Sequence, residues 1–443
     1  MKKFFTLLVV CGLCLNMNAQ ALKNKIVLSI APNTADVQFT VKVDEGTNYS
    51  VDFGEGEATK SFEKTTEEFI TVKYTFTNPK SDAREITLDA THLLSLRAAA
   101  SKSINGIKEI VSDKITELGF TATNLDAYSS LDISQCPALV NAVFIGSNLE
   151  SIKLPKGKTL ESIQVSGSWS GEKKALKDIN LSDAEGLKTI LITDAGLTEV
   201  DLTKQQDLVT LCIYNPLKIG LRKIKGAKEL MKITRLCLNG NNLGFDQIPD
   251  RIVEEAPLEQ FQYTQSYYYL DKSRVNNNTI DLTHLLKAKG IATKEQSSSF
   301  TWVWKTEEKN AKFAAVPKEC IIEDNGKFTF DPTPLKTDKF IVAVRMSNPG
   351  YPEIGGKKGY LQSYNIHLVK ETANSIATVA TEKAVDFILT ADGVQLNAAN
   401  STQTSIFNVN GQKIWEGVAP ANVSLPKGMY ILSTAEGNTK FVR

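Results

Sequence analysis

Residues 187–197 read LKTILITDAGL and residues 139–149 read LVNAVFIGSNL. In both, apolar side chains stand at the first, fourth and sixth places, and the fourth-to-seventh places alternate with the period of a β-strand. The same L-x-x-L-x-L triplet begins at Ile107, Leu118, Tyr128, Leu139, Leu149, Leu160, Leu176, Leu187, Leu197 and Leu208, in steps of 11, 10, 11, 10, 11, 16, 11, 10 and 11 residues. That is a 21-residue unit of two half-turns, broken once by a six-residue insertion. Of the 30 template positions 27 are apolar, the exceptions being Ser112, Thr121 and Thr123, in a chain whose hydrophobic content is 42 %. A coil this short cannot bury its own apolar edge, so the pattern predicts coils stacked into a solenoid with one continuous core.

The alternation places +3 and +5 of each half-turn inside and +2, +4 and +6 outside. In the half-turns from 118, 139, 160, 187, 208 and 233 the central outward residues are then Ala122, Val143, Gln164, Leu191, Cys212 and Cys237. In those from 107, 128, 149, 176 and 197 they are Val111, Asp132, Lys153, Asn180 and Asp201. One face is a mostly apolar ribbon and the other is charged. Phe120, Ile145, Tyr214 and Arg235 flank the ribbon, and the insertion SGSWSGEKK between Val165 and Ala175 carries Trp169. The candidate ligand-binding set is therefore Phe120, Val143, Ile145, Gln164, Trp169, Leu191, Cys212, Tyr214 and Arg235. An exposed apolar stripe marks an interaction surface; alternatively, β-propensity alone fills such positions, or a neighbouring domain covers them. Trp169 stands either as a contact residue or folded back on its coil.

The last unit, Ile233, Leu236 and Leu238, leads into Asn239, Asn241, Asn242 and Leu243. This resembles the leucine-rich repeat pattern L-x-x-L-x-L-x-x-N-x-L, although Ala or Ser often takes the Asn place. The resemblance implies that the apolar ribbon lines the concave, strand-bearing side. The solenoid is expected over residues 101–252.

At 443 residues the chain has room for about three folded units. It begins with Lys2 and Lys3, an apolar run from Phe4 to Leu15, and small residues at Ala19 and Ala21. This has the form of a signal peptide over residues 1–19, so export is expected, to the medium or the outer-membrane surface. Cys11 and Cys14 raise a lipoprotein anchor as the alternative, but Val10 and Leu13 stand where that signal needs a small residue. No later apolar stretch is long enough for a transmembrane helix. With 51 Lys and Arg against 50 Asp and Glu, nothing in the charge points to nucleic acid. After the leader, Cys136, Cys212, Cys237 and Cys320 remain. They are too scattered for a disulfide framework or a C-x-x-C metal site. Cys212 and Cys237 share a column, where free thiols fit better than a disulfide between adjacent parallel strands.

Residues 22–100 read as short strands. Within them Val51-Asp52-Phe53-Gly54-Glu55-Gly56, with Tyr74 and Ile86 later, resembles the W-G-D-G turn of PKD-like β-sandwiches, Phe53 replacing Trp and Glu55 replacing Asp. Residues 256–370 are again β-rich. Phe300, Trp302 and Trp304 alternate along one strand, and Asn325-Gly326 signals a hairpin. This segment looks like an immunoglobulin-like sandwich of the kind that follows leucine-rich repeats in exported Bacteroidetes proteins. Residues 371–384 are small and polar and read as a linker. Residues 385–443 contain N-x-x-G-x-x-[IV] (Asn408, Gly411, Ile414) and L-P-x-G-x-Y (Leu425 to Tyr430). They resemble the C-terminal sorting domain of the type IX secretion system, which implies passage through that machinery. The expected architecture is thus mainly β: a leucine-rich repeat solenoid flanked by β-sandwich domains.

The three histidines, His92, His284 and His367, accompany no G-x-S-x-G, H-E-x-x-H or phosphate-cradling loop. The expectation is therefore no enzyme, no cofactor and no metal. Two classes remain: an adhesion or ligand-capture module for an extracellular protein or glycan, and a structural surface or vesicle-coat spacer.

Overall fold

A computed structural model describes residues 24–369 and 386–442, apart from 45–48, 57–59, 63–67, 124, 168–175, 216–219, 253, 309, 336, 338, 391, 398–401, 409–410 and 435–436. The expected leader, the linker and Trp169 lie outside the described residues. The chain divides into two compact units, 1–370 and 371–443.

The first unit is built on a β-solenoid. Strands Leu93–Ala99, Glu117–Thr121, Asn141–Ser147, Ser162–Gly167, Thr189–Thr193, Thr210–Tyr214, Arg235–Cys237 and Phe261–Gln262 pair in parallel, each with the next. Buried Leu96, Leu118, Ala142, Ile163, Ile190, Leu211, Leu236 and Phe261 align across this sheet. Short strands form the opposite layer: Ser130–Asp132, Ser151–Lys153 and Asp178–Ile179 in one sheet, Glu199–Asp201 and Lys223–Lys225 in another. They turn Leu131, Ile152, Ile179, Val200 and Ile224 inward and leave Asp132, Lys153, Asn180 and Lys225 exposed. Aliphatic side chains from the two layers fill the space between them, as the two half-turns of the repeat predict.

Buried amides satisfy the corners, where the chain leaves its ladder. Asn241 donates to the carbonyls of Ile213 (2.7 Å) and Leu238 (2.9 Å) and accepts from the Leu221 N–H (2.9 Å). Gln205 donates to Leu181 and Ala184, and Gln265 to Leu238 and Tyr263. Each amide ties one coil to another where a bare buried carbonyl would cost about 1–3 kcal/mol.

The long sheet does not stop at the expected boundaries of 101 and 252. Upstream, strand Leu93–Ala99 pairs antiparallel with Asp36–Val43, which pairs with Ile70–Thr75. Strands Lys60–Phe62, Tyr49–Asp52, Arg84–Asp89, Lys25–Ile30 and Ile104–Val111 make a second sheet. The first coil of the solenoid is therefore shared with the segment before it. Downstream, Tyr351 is buried against Phe245 and Tyr263, and its hydroxyl lies 3.0 Å from the Ile248 carbonyl and 3.1 Å from Asp250. One buried cluster accordingly runs from Ile26 to Leu368. In the downstream segment Asn325 and Gly326 both have positive φ and join Ile321–Asp324 to Lys327–Phe330, as the Asn-Gly signal predicts. Trp302 of Ser299–Lys305 is buried against Phe328 and Phe330, and Phe300 and Trp304 pack half-buried against the same core.

The second unit has its own core of Val394, Leu396, Ile406, Ala419, Val423, Leu425, Tyr430, Leu432 and Phe441. Both motif stretches work locally. Asn408 accepts the Gln412 N–H through its side chain (3.0 Å), with Gly411 at positive φ between them, and the Tyr430 hydroxyl donates to the Pro426 carbonyl (2.9 Å).

The Phe53 to Gly56 turn gathers the residues picked from its sequence. Phe53 stacks on Tyr74 at 3.9 Å, and Glu55 accepts from the Tyr74 hydroxyl (2.6 Å) and pairs with Arg84 (2.8 Å). The Tyr74 hydroxyl first, then Arg84, hold the Glu55 carboxyl well below the usual carboxylate range. A depressed carboxyl contributes stability above its unfolded pKa of about 4.3 and loses it as pH falls toward the folded value. Glu55→Gln is therefore expected to be less stable than wild type at pH 7, with the gap closing below about pH 4.3, as urea unfolding across a pH series would measure.

Candidate functional site

The register of the long sheet sets its outward residues in columns. The central column runs Arg97, Gly119, Val143, Gln164, Leu191, Cys212, Cys237 and Gln262. Two residues toward the strand starts stands a wholly polar column of Ser95, Glu117, Asn141, Ser162, Thr189, Thr210 and Arg235. On the other side stand Thr121 beside Ile145, and Thr193 beside Tyr214. Between these flanks the centre is mostly apolar from Val143 to Cys237, interrupted by Gln164.

A groove of about 720 Å³ lies on this face, and Ile145, Gln164, Leu191, Cys212, Tyr214 and Arg235 line it together. Those six were singled out from sequence. Val143 lies in the same column, half-buried, but does not line the groove. The groove also takes in Thr193, Cys237, Glu259, Gln260 and Gln262. The last three belong to a coil that the sequence reading omits. Its stretch Leu258-Glu259-Gln260-Phe261-Gln262-Tyr263 fits the repeat template with aromatics in place of leucines, which was the available signal. Toward the N-terminus the ribbon ends at Arg97, which pairs with Glu117 (2.5 Å) and lies over the Phe69 ring (4.1 Å).

Phe120 requires a correction. It is fully buried and stacks on Phe144 at 6.2 Å, because its coil is framed on Ile115, with Leu118 and Phe120 inside, rather than on Leu118. The central outward residue of that coil is Gly119, not Ala122. Val111 is buried as well, since Ile104–Val111 belongs to the second upstream sheet.

Cys212 and Cys237 align in the register and are both free thiols. Parallel Cβ vectors on neighbouring strands stand about 4.8 Å apart, wider than the roughly 3.5–4.5 Å of a disulfide. A hydrogen bond from Cys212, assisted by the Asn239 N–H and the Arg235 charge, pulls the Cys237 thiol below its ordinary pKa. The same bond, with burial, pushes Cys212 up. Burial pushes Cys136 up to about 12. The groove floor therefore holds one thiolate-prone sulfur beside a cation.

Among the described residues no group of three or more His, Cys, Asp or Glu could hold a metal ion, and no helix is long and apolar enough to cross a membrane. Compared with known proteins, the chain matches no family model and no curated relative.

Two outcomes follow from this geometry. Alkylation of the native protein near neutral pH should modify Cys237 first and leave Cys136 untouched, with mass spectrometry locating the adduct; Cys237→Ser should leave Cys212 slow. Phe120→Ala should cost about 3–5 kcal/mol in urea unfolding, the loss of a fully buried ring and not of an exposed one.

Proposed function

We propose that the protein is an exported interaction module, secreted or held at the outer-membrane surface, that binds an extracellular protein or glycan along the groove of its solenoid. The observation that carries this reading is the convergence of Ile145, Gln164, Leu191, Cys212, Tyr214 and Arg235 on one groove of about 720 Å³. Its size falls in the range of roughly 300–1,000 Å³ used by ligand sites. The lining mixes apolar and polar side chains, with contact area from Leu191 and Tyr214 and directional hydrogen bonds from Gln164, Gln262 and Arg235. Tyr214 is 39 % exposed, a large side chain left at the rim.

The proposal includes the family resemblances. The solenoid is of the leucine-rich repeat kind, supported by the apolar triplets and by Asn241, which bonds three backbone groups at a corner. The segments on either side are PKD-like and immunoglobulin-like sandwiches, the former supported by the Phe53, Glu55, Tyr74 cluster. The second unit is a type IX sorting domain that engages the secretion machinery, supported by its two motifs in order. In this reading the protein acts without catalysis and without a cofactor.

The test is a pull-down from host and bacterial extracts with the full chain and with a Leu191→Asp, Tyr214→Ala double variant that keeps the wild-type melting temperature. The double variant is expected to lose the captured ligand, with affinity down at least about tenfold, since loss of central aromatic and aliphatic anchors typically costs above 1 kcal/mol each. Undiminished capture by a folded double variant would remove the groove from the function.

A further inference from the structure

A second cavity, of about 520 Å³, lies where the back strands 199–201 and 223–225 meet the turn 245–247 and the segment 268–284. The lining is mostly polar and includes Arg222, Lys223, Asp246, Tyr269, Arg274 and His284. Its charges are unevenly committed. Glu199 pairs with Lys225 at 2.8 Å, and Asp271 accepts from the N–H and hydroxyl of Ser273, each at 2.9 Å. The Arg222 guanidinium lies over the Tyr269 ring at 4.6 Å, and among the described residues neither it nor Lys223 has an ion-pair partner. Arg274 stands 3.8 Å from Asp281. Glu199 and Asp271 are thus satisfied from within the chain, while Arg222 and Lys223 retain donors for an anion.

Two buried polar atoms lie beside these cations. Asp246 accepts from Gln247 through Oδ2 (2.7 Å), while its Oδ1 is buried with no hydrogen-bond partner among the described residues. His284 Nε2 lies 3.0 Å from the Tyr268 hydroxyl, and its Nδ1 is likewise buried without a partner. Tyr268 also lines the cavity, and the roles of its hydroxyl and of His284 Nε2 in this bond follow the ring tautomer; with the hydroxyl donating, the neutral ring carries its proton on Nδ1. An acceptor at Asp246 and a donor at His284 are both satisfied by a hydroxyl, which gives and takes a hydrogen bond; an ammonium could only give. Desolvation lowers the pKa of His284, consistent with a neutral ring.

We propose that this cavity binds an acidic saccharide residue, its carboxylate or sulfate held by Arg222 and Lys223 and a ring hydroxyl held between Asp246 and His284. The site is separate from the groove, so its test does not depend on the groove's ligand. Isothermal titration calorimetry of the full chain would use three probes: an oligogalacturonate tetramer (carboxylate), a chondroitin sulfate tetrasaccharide (carboxylate and sulfate) and cellotetraose (neutral). At least one acidic probe is expected to bind, more weakly as salt rises, and cellotetraose is not. Arg222→Ala with Lys223→Ala should weaken the acidic probe by about tenfold or more. Asp246→Asn, which preserves shape, should weaken it as well, while Leu191→Asp leaves it unchanged. The proposal is overturned if cellotetraose binds as tightly as the acidic probes, if neither acidic probe binds, or if the folded Asp246→Asn and Arg222→Ala, Lys223→Ala variants bind like wild type.

Discussion

No coil of this solenoid can hide its own apolar edge, and everything else in the first unit follows from the way that edge is covered. Each strand lends its backbone ladder and its inward side chains to the next, from Leu96 through Ile163 and Ile190 to Phe261. Because stability is passed between neighbours, the ends are where it would fail. The chain covers the N-terminal end with the antiparallel strands 36–43 and 70–75, and the C-terminal end with Phe261, Tyr263 and the buried ring of Tyr351. The flanking segments therefore complete the solenoid, and a boundary drawn at a change of sequence pattern cuts through shared sheet and shared core.

The same stacking makes the surface. A register that aligns buried leucines must also align the residues between them, so one exposed position is repeated coil after coil as a column. Here the columns differ in chemistry. The one starting at Ser95 is polar throughout, while the central one is apolar between Val143 and Cys237 except at Gln164, and ends in Arg97 and Gln262. The sheet thereby acquires a bounded groove, and two free cysteines 25 positions apart in the chain stand side by side in one column.

Much of this was legible before any coordinate. The triplets located the strands from Asn141 to Cys237, and six of the groove residues followed from counting. The misplaced residue, Phe120, carried its own warning: Thr121 and Thr123 were two of the three polar exceptions to the template, and shifting that coil back to Ile115 replaces them with Leu118 and Phe120. The template spaces that coil 21 residues from the next, at 118 and 139, whereas the aligned inward residues Leu118 and Ala142 stand 24 apart. Glu259, Gln260 and Gln262 escape the leucine template because Phe261 and Tyr263 occupy its +3 and +5 places.

The sequence by itself determined the period, the inward face and the apolar character of the ribbon, since a strand alternates its side chains whatever surrounds it. It also determined the local turns, Asn325-Gly326 and the Tyr430 loop, whose partners lie within a few residues. Only the tertiary structure decided where the solenoid ends, how wide its groove is, and that Asp246, Tyr268, His284 and Arg222 surround a second cavity. Those features depend on contacts between residues tens of positions apart and without common periodicity, and no local pattern in the chain encodes them.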